Sequence, residues 1–243
     1  SIYQALKKTN GLEVDLFDWS MYLSLKDVSK ISFQYFTTKL QNKYSMGSII
    51  SQINVDLMKK VENNKYDLVF IYRGQHILPE TIKTMQFYGS IVFIYNNDNP
   101  FSAHYPKYFW RHFLQSAIVC DHVFSYRVEN IEQYKLLGQS NVSLLRSYYL
   151  KEYNFFINPE KFESDVIFIG HYEKDGRDEI LKHLIENNIK TRIYGWGWEG
   201  SNYFKELSKY GKIRPVFGKE YNEKINKSKI ALVFLSKINR DTY

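Results

Sequence analysis

The sequence predicts an α/β protein made of two doubly wound units, and two regularities in its 243 residues support this. Short apolar, β-prone runs alternate with stretches whose apolar residues are spaced like one face of a helix. The runs contain few polar residues, as parallel strands buried on both faces do. This alternation lapses once, between about residues 148 and 164. We therefore predict a first domain over residues 1–150 and a second over residues 164–243, joined by a linker around residues 150–163.

The first half carries five runs that we interpret as strands, with helical patterns between them. The predicted strands are residues 14–17, 67–72, 91–95, 122–125 and 142–145. The apolar spacing over residues 49–61 predicts a helix, and Pro79 is placed to begin another. A further helix over residues 131–137 is predicted to end at Gly138, since glycine readily adopts the left-handed conformation that ends many helices.

The second half shows the same alternation. Its predicted strands are residues 165–169, 191–194, 215–217 and 230–235, and its predicted helices are residues 178–186 and 203–210. A doubly wound domain normally opens with a strand ahead of its first helix and has a helix behind each strand. We therefore expect the first strand of the first domain to be missing and the second domain to be incomplete.

Composition narrows the classes of partner. The net charge of +7 and the pI near 9.1 favour an anionic partner. Lysines are spread along the chain and no nucleic-acid-binding motif is present, so we do not expect nucleic acid. No apolar run is long enough to span a bilayer and no signal peptide is visible, so we expect a cytoplasmic protein.

Cysteine and histidine usage argues against a metal or a bound cofactor. The single cysteine, Cys120, excludes an internal disulfide and multi-cysteine metal sites, and its apolar neighbours predict a buried, inert thiol. The six histidines lack the spacing of metal ligands. No P-loop and no Ser/His/Asp arrangement is present, which weighs against kinases and hydrolases.

Aromatic and basic residues interleave over residues 104–114. This pattern has two interpretations: peripheral contact with a membrane, or an amphipathic helix packed on the sheet. We favour the second, with Phe109 and Phe113 on one helical face because they are four residues apart.

Ligands of open α/β sheets bind beyond the carboxyl ends of the strands, so the loops there are the first candidates for a site. Gly170 ends one predicted strand and lets a ligand approach the backbone. The following helix offers free N–H groups to a phosphate, and Arg177 is suited to bidentate phosphate binding. We expect its guanidinium to reach the ligand side without being buried in the core. The alternative is an ordinary turn capped by Asp175 or Asp178.

Three later loops add candidates. Gly195 and Trp196 lie in a run of glycines and aromatics that offers space and stacking faces to a base or sugar, or else forms a packing cluster. The segment over residues 215–221, with Phe217, Gly218 and Tyr221, is placed to read a base with its main chain. Residues 236–242 offer phosphate and hydroxyl contacts, or else form a solvated loop.

In the first half, Arg73 and Asp98 follow two central strands and are expected to face the crevice between the domains. Asp98 is the carboxylate placed where a general base is useful. The alternative is conformational, because Asx-rich turns before proline are frequent.

Several of these segments, taken in order, resemble the CgeB-like bacterial glycosyltransferases, a GT-B group related to spore-maturation proteins. The segments are residues 73–74, 97–101, 146–149, 165–170, 192–198, 218–221, 230–235 and 239–242. The resemblance covers nearly the whole chain, and it rests on the ordered set rather than on any one motif.

The resemblance implies two facing Rossmann-like domains, with a nucleotide-sugar donor held by the second and a glycan or lipid-linked acceptor held by the first. The implied donor-binding residues are Gly170, His171, Arg177, Gly195, Trp196, Phe217, Gly218, Tyr221, Arg240, Asp241 and Thr242, and the implied acceptor-side residues are Arg73, Asn97 and Asp98. The implied activity is sugar transfer to a hydroxyl in bacterial surface glycan synthesis, with no metal required. The alternative is a non-catalytic protein of the same fold that binds a nucleotide or polysaccharide.

Overall fold

The computed structural model describes residues 2–146, 149, 151–152 and 154–235. These residues form two compact units, one reaching to residue 146 and the other starting at residue 149. Each unit has its own parallel sheet and its own apolar core.

The first unit contains four strands and six helices among its described residues. The strands are β1 (Leu68–Tyr72), β2 (Ile91–Asn96), β3 (His122–Ser125) and β4 (Val142–Leu144). The helices are α1 (Ile2–Lys7), α2 (Phe33–Tyr44), α3 (Ser48–Asn64), α4 (Pro79–Phe87), α5 (Arg111–Val119) and α6 (Val128–Leu137), with a 3-10 helix over Trp19–Leu23. As predicted, Pro79 begins α4, and Gly138 ends α6 in the left-handed conformation at φ 108°.

The strands of the first unit lie side by side in chain order, β1-β2-β3-β4, and every pair is parallel. Ile94, at the centre of β2, is paired with Ile71 on one side and Val123 on the other, and all three are buried. Parallel pairing brings the carboxyl ends of β1, β2 and β3 to one edge of the sheet. The loops that follow these three strands are therefore neighbours.

The second unit has the same construction with fewer strands. Its elements are β5 (Ser164–Ile169), α7 (Arg177–Glu186), β6 (Thr191–Tyr194), α8 (Phe204–Leu207), α9 (Gly218–Asn226) and β7 (Ser228–Leu232), with a 3-10 helix over Trp198–Gly200. The sheet order is β6-β5-β7, again all parallel. The predicted α/β class with parallel sheets in Rossmann-like units is confirmed.

Three predicted elements are wrong. Residues 14–17 are extended but pair with no described strand, because Asp15 is held at the side by Lys60 of α3 at 2.7 Å and by the Tyr66 hydroxyl at 2.6 Å. Residues 215–217 also form no strand. The helix expected over residues 203–210 is only the four residues of α8.

The aromatic and basic stretch over residues 104–114 packs on the first unit. Helix α5 begins at Arg111, so Phe109 precedes the helix and the predicted shared helical face is wrong. Phe113 and Trp110 are nonetheless fully buried, and Phe109 packs against the same core. This arrangement supports the structural interpretation. Among the described residues, no helix has the length and apolar character needed to cross a membrane.

Candidate functional site

A pocket of about 220 Å³ opens at the carboxyl ends of β5 and β6 in the second unit. It brings together five residues predicted from the sequence, Gly170, Gly195, Trp196, Phe217 and Tyr221, with Ile169, Pro215 and Val216 completing the lining. The Trp196 and Phe217 ring centroids are 5.3 Å apart, and both side chains are more than half exposed. The volume is below the roughly 300–1,000 Å³ of a pocket for a whole ligand. The pocket is therefore large enough for one flat ring, which could stack on Trp196 or Phe217.

The pocket floor is formed by two backbone segments in close contact, and a glycine makes this contact possible. A Cβ added to Gly195 would lie 1.8 Å from the Gly170 carbonyl oxygen, and φ of Gly195 is +138°. The same oxygen accepts a hydrogen bond from Trp198 Nε1 at 2.9 Å, and Trp198 is fully buried. Gly195 and Trp198 thus fix the strand-end loop that Gly170 begins.

Arg177, expected to reach the ligand side, is instead buried with 3% of its surface exposed. Its Nε and Nη2 donate to the two oxygens of Asp175 at 2.8 and 2.7 Å. Nη1 donates to the His171 carbonyl oxygen at 2.8 Å, and Nη2 also lies 3.2 Å from Glu173. Every nitrogen of the guanidinium is therefore engaged by the loop itself.

The surroundings of Arg177 explain how its guanidinium stays charged although it is buried. Burial works against the charged form, but hydrogen bonding to Asp175 and the charge of Glu173 outweigh it and raise the pKa of Arg177. The guanidinium also lies 5.8 Å from the Phe168 ring centroid, and a planar cation stacks favourably on an aromatic face. Arg177 organises the loop over residues 171–175 from the inside.

The other predicted donor-side residues lie around the pocket or outside the described part of the chain. His171 is exposed and pairs with Glu173 at 2.8 Å, and Gly218 begins α9 next to Phe217. Neither lines the pocket. Arg240, Asp241 and Thr242 fall outside the described residues.

In the first unit, Arg73 and Asp98 form an ion pair with 2.6 Å between Nη2 and Oδ2. Both follow strands at the carboxyl edge of the sheet, Arg73 after β1 and Asp98 after β2. Arg73 adopts the left-handed conformation at φ 59°, which is unfavourable for a residue with a Cβ. The Asp98 amide donates to Asn96 Oδ1 at 3.0 Å, forming the Asx turn that the sequence analysis raised as an alternative.

Asn97 lies between a tyrosine and a second arginine. Its side-chain oxygen accepts a hydrogen bond from the Tyr72 hydroxyl at 3.2 Å. Its carbonyl oxygen accepts one from Arg127 Nη1 at 2.5 Å, and Arg127 is 6% exposed. The structure thus gathers Arg73, Asn97 and Asp98 at one edge and adds Arg127, which the sequence analysis missed. Its position two residues after the end of β3 could have indicated it, because residues that follow strand ends lie at this edge.

A larger pocket, of about 520 Å³, runs along the outer side of β1 in the first unit. It is lined by every residue of β1, by residues 15–20, which run into the 3-10 helix, and by residues of α3. Arg73 also lines it. Most of the lining side chains are apolar. Strand β1 is the edge strand of the described sheet, so the pocket lies where backbone N–H and C=O groups lack a neighbouring strand.

Packing accounts for the cysteine that the sequence singled out. Cys120 is buried, and burial raises the pKa of its thiol to about 12. It is therefore protonated and unreactive at neutral pH. Within the described residues, no group of three or more His, Cys, Asp or Glu side chains is arranged to hold a metal ion.

Comparison with known proteins supports the fold. No protein-family model matches this sequence, and no curated protein does. Among solved structures, S. aureus MnaA in complex with UDP matches with a TM-score of 0.52 at 12% identity, over 95% of this chain and 68% of that one. A proposed UDP-N-acetylglucosamine 2-epimerase from Listeria monocytogenes matches with a TM-score of 0.47 at 10% identity, over 76% of this chain and 58% of that one.

The match to MnaA supports a GT-B-like fold of Rossmann-like units. The chain spans 68% of the length of MnaA and 58% of the length of the Listeria protein. At such low identity the likeness concerns the fold alone. The resemblance to CgeB-like glycosyltransferases remains a prediction.

Proposed function

We propose that the second unit binds the nucleotide of a nucleotide sugar, with the base against Trp196 and Phe217. The observation that carries the proposal is the pocket at the carboxyl ends of β5 and β6, which gathers five predicted residues from two strand-end loops and from the segment that leads into α9. That position is where open α/β sheets bind nucleotides. The binding of UDP by MnaA, a protein of the same fold, adds support.

We further propose that the chain belongs to a glycosyltransferase of the CgeB-like type, which moves the sugar to a hydroxyl of a glycan or lipid-linked acceptor. The loop after β5 would face the departing diphosphate with its main-chain N–H groups, since fixed donors stabilise developing charge without reorganising. Arg177 would act indirectly, because its nitrogens already hold that loop in place.

The acceptor would bind at the carboxyl edge of the first unit, beside Arg73, Asn97 and Asp98. A carboxylate there is suited to take the proton from the attacking hydroxyl. The ion pair with Arg73 at 2.6 Å holds the Asp98 carboxylate at this edge.

The first experiment identifies the nucleotide. Melting curves of the protein are recorded with UDP-, GDP-, CMP- and dTDP-linked sugars, and the best binder is titrated calorimetrically. Phe217→Ala should weaken its affinity by about 1–3 kcal/mol, the usual contribution of one stacked base. Phe87→Ala, which removes an exposed ring from the first unit, should leave the affinity unchanged.

Turnover then separates an enzyme from a binding protein. Slow hydrolysis of the bound nucleotide sugar, with release of free nucleoside diphosphate, supports the transferase. Tight binding without hydrolysis over long incubation, and without transfer to any glycan, would assign the chain to the non-catalytic alternative. If no nucleotide sugar shifts the melting curve, the proposal for the second unit is wrong.

A further inference from the structure

The carboxyl edge of the first unit contains three buried hydrogen-bond donors that have no acceptor among the described residues. They are Arg73 Nε, Asn96 Nδ2 and Trp110 Nε1. Asn96 and Trp110 are each only 2% exposed. A buried donor without a partner costs about 1–3 kcal/mol, so three at one place are unusual in a native fold.

These donors belong to one cluster, which we call the Arg73 cluster and which consists of Arg73, Asn96, Asp98 and Trp110. The Arg73 guanidinium lies 5.8 Å from the Trp110 ring centroid and pairs with Asp98 at 2.6 Å. The Asp98 amide donates to Asn96 Oδ1 at 3.0 Å, which leaves the Asn96 Nδ2 group to face elsewhere. The four residues are therefore joined by direct contacts.

Strand register explains why they meet. Tyr72 pairs with Tyr95 and the Arg73 amide donates to the Tyr95 carbonyl, so Arg73 and Asn96 take adjacent places at the ends of β1 and β2. Asn96 points to the same face as Ile94, because side chains alternate along a strand. Ile94 and Trp110 share one core cluster, so Trp110 borders that face.

A second arginine lies next to the cluster. Arg127, 6% exposed, donates to the carbonyl of Asn97, the residue before Asp98. The proposal does not depend on its charge. Three buried donors that lack an acceptor among the described residues favour a ligand that brings oxygen atoms and negative charge.

We propose that the Arg73 cluster binds a phosphate group carried by the acceptor. A phosphate presents several acceptor oxygens at once, which matches three unpartnered donors and a guanidinium better than a single hydroxyl does. The inference rests on the proposed function in one respect only, that the first unit is the acceptor side.

Access to the buried donors is through Arg73. Its side chain is 38% exposed, and its guanidinium lies 5.8 Å from the Trp110 ring centroid, so Arg73 links the surface to the buried part of the cluster. The left-handed backbone at φ 59° holds Arg73 at this position. Such conformations persist where the surrounding structure imposes them, and they are common at ligand sites.

The test uses the indole N–H signals of the four tryptophans in a ¹H–¹⁵N spectrum of the whole chain, each assigned by a Trp→Phe variant. Inorganic phosphate and then phenyl phosphate are titrated at constant ionic strength, without nucleotide. The Trp110 signal should shift and saturate, because its N–H gains an acceptor. Those of Trp19 and Trp196 should stay in place.

Two variants make the readout specific. Arg73→Gln should weaken phosphate binding about tenfold or more, as expected for the loss of a charge-assisted hydrogen bond. Arg214→Gln, which removes an exposed arginine paired with Glu220 in the second unit, should leave it unchanged.

The inference is overturned if the Trp110 signal does not move, if it moves equally with acetate or methyl glucoside, or if Arg73→Gln binds phosphate as well as the unaltered protein. Its failure can be told from failure of the proposed function. Nucleotide sugars are expected to shift the Trp196 signal in the other unit, and that result does not depend on Trp110.

Discussion

Arg177 donates to both oxygens of the Asp175 carboxylate, from Nε at 2.8 Å and from Nη2 at 2.7 Å, although the two residues are only two positions apart along the chain. This ion pair stabilises the turn between β5 and α7 by joining two of its own residues. Asp175 Oδ1 also accepts a hydrogen bond from the Arg177 amide at 3.2 Å, at the start of the helix. An arginine that the sequence assigns to a ligand thus stabilises the loop that would contact the ligand.

Replacement of Arg177 should destabilise the second unit. Arg177→Ala leaves the Asp175 and Glu173 carboxylates without their buried cation, at a cost of about 2–4 kcal/mol in the free energy of unfolding. Chemical denaturation measures this difference. The matched control is Arg214→Ala, whose exposed pair with Glu220 should matter little. Equal stability of Arg177→Ala and the unaltered protein, together with weaker nucleotide binding, would restore Arg177 to direct contact with the ligand.

Gly195 should tolerate no side chain. Gly195→Ala places a Cβ 1.8 Å from the Gly170 carbonyl oxygen at a φ of +138°, so the two backbone segments must separate. We expect a loss of about 2–4 kcal/mol in unfolding free energy and loss of nucleotide binding. Gly218→Ala is the control: its φ is also positive, but no atom lies within 4 Å of the added Cβ. It should cost about 1 kcal/mol. Similar losses in both variants would mean that conformation rather than contact matters at Gly195.

Asp98 is expected to act in the chemical step. Asp98→Asn keeps the shape but cannot accept the proton, so turnover should fall at least about 100-fold while nucleotide affinity stays the same. Steady-state rates and calorimetric titration measure the two effects. Asp27→Asn, at an exposed position of the same unit, should have no effect. Because Asp98→Asn also breaks the ion pair with Arg73, melting curves must accompany the rates. Unchanged turnover would remove Asp98 from the mechanism.

A buried histidine should make the first unit sensitive to acid. His76 is fully buried beside Trp19, Asn42 and Gln75, and burial, with a smaller contribution from the charge of His112, lowers its pKa to about 4. The unfolded chain has a histidine pKa near 6.5. Stability is therefore complete above about pH 6.5 and is lost as the pH falls toward 4, because the unfolded chain binds the proton more readily.

The expected loss between pH 7.5 and pH 4.5 is about 2 kcal/mol, and the comparison variant is His76→Gln. In this variant the decline over that range should be much smaller. Asp15 contributes little to the change in stability over this range. Hydrogen bonds with Lys60 and Tyr66 lower its pKa to about 2, so most of its contribution is lost at lower pH. A pH profile that is identical in the two proteins would exclude His76 as the cause.

The position of the candidate pocket was predictable where it depends on strand ends. Gly170, Gly195 and Trp196 follow buried runs, and parallel pairing alone brings such positions to one edge. Phe217 and Tyr221 joined the same pocket although residues 215–217 form no strand. Trp198, which bonds to Gly170, and Trp110, which lies beside Arg73, fall in aromatic runs that the sequence singled out, but the sequence did not indicate which backbone or side chain each would contact.

The sequence by itself determined the alternation of strands and helices, the parallel sheets and the inert cysteine, because periodicity and burial of apolar residues are local properties. Only the tertiary structure decided that Arg177 is buried, that Gly195 must lack a Cβ, and that buried donors of Arg73, Asn96 and Trp110 have no acceptor among the described residues. These facts depend on which loops lie against each other and on the register of β1 with β2, and both follow from packing between residues distant in sequence.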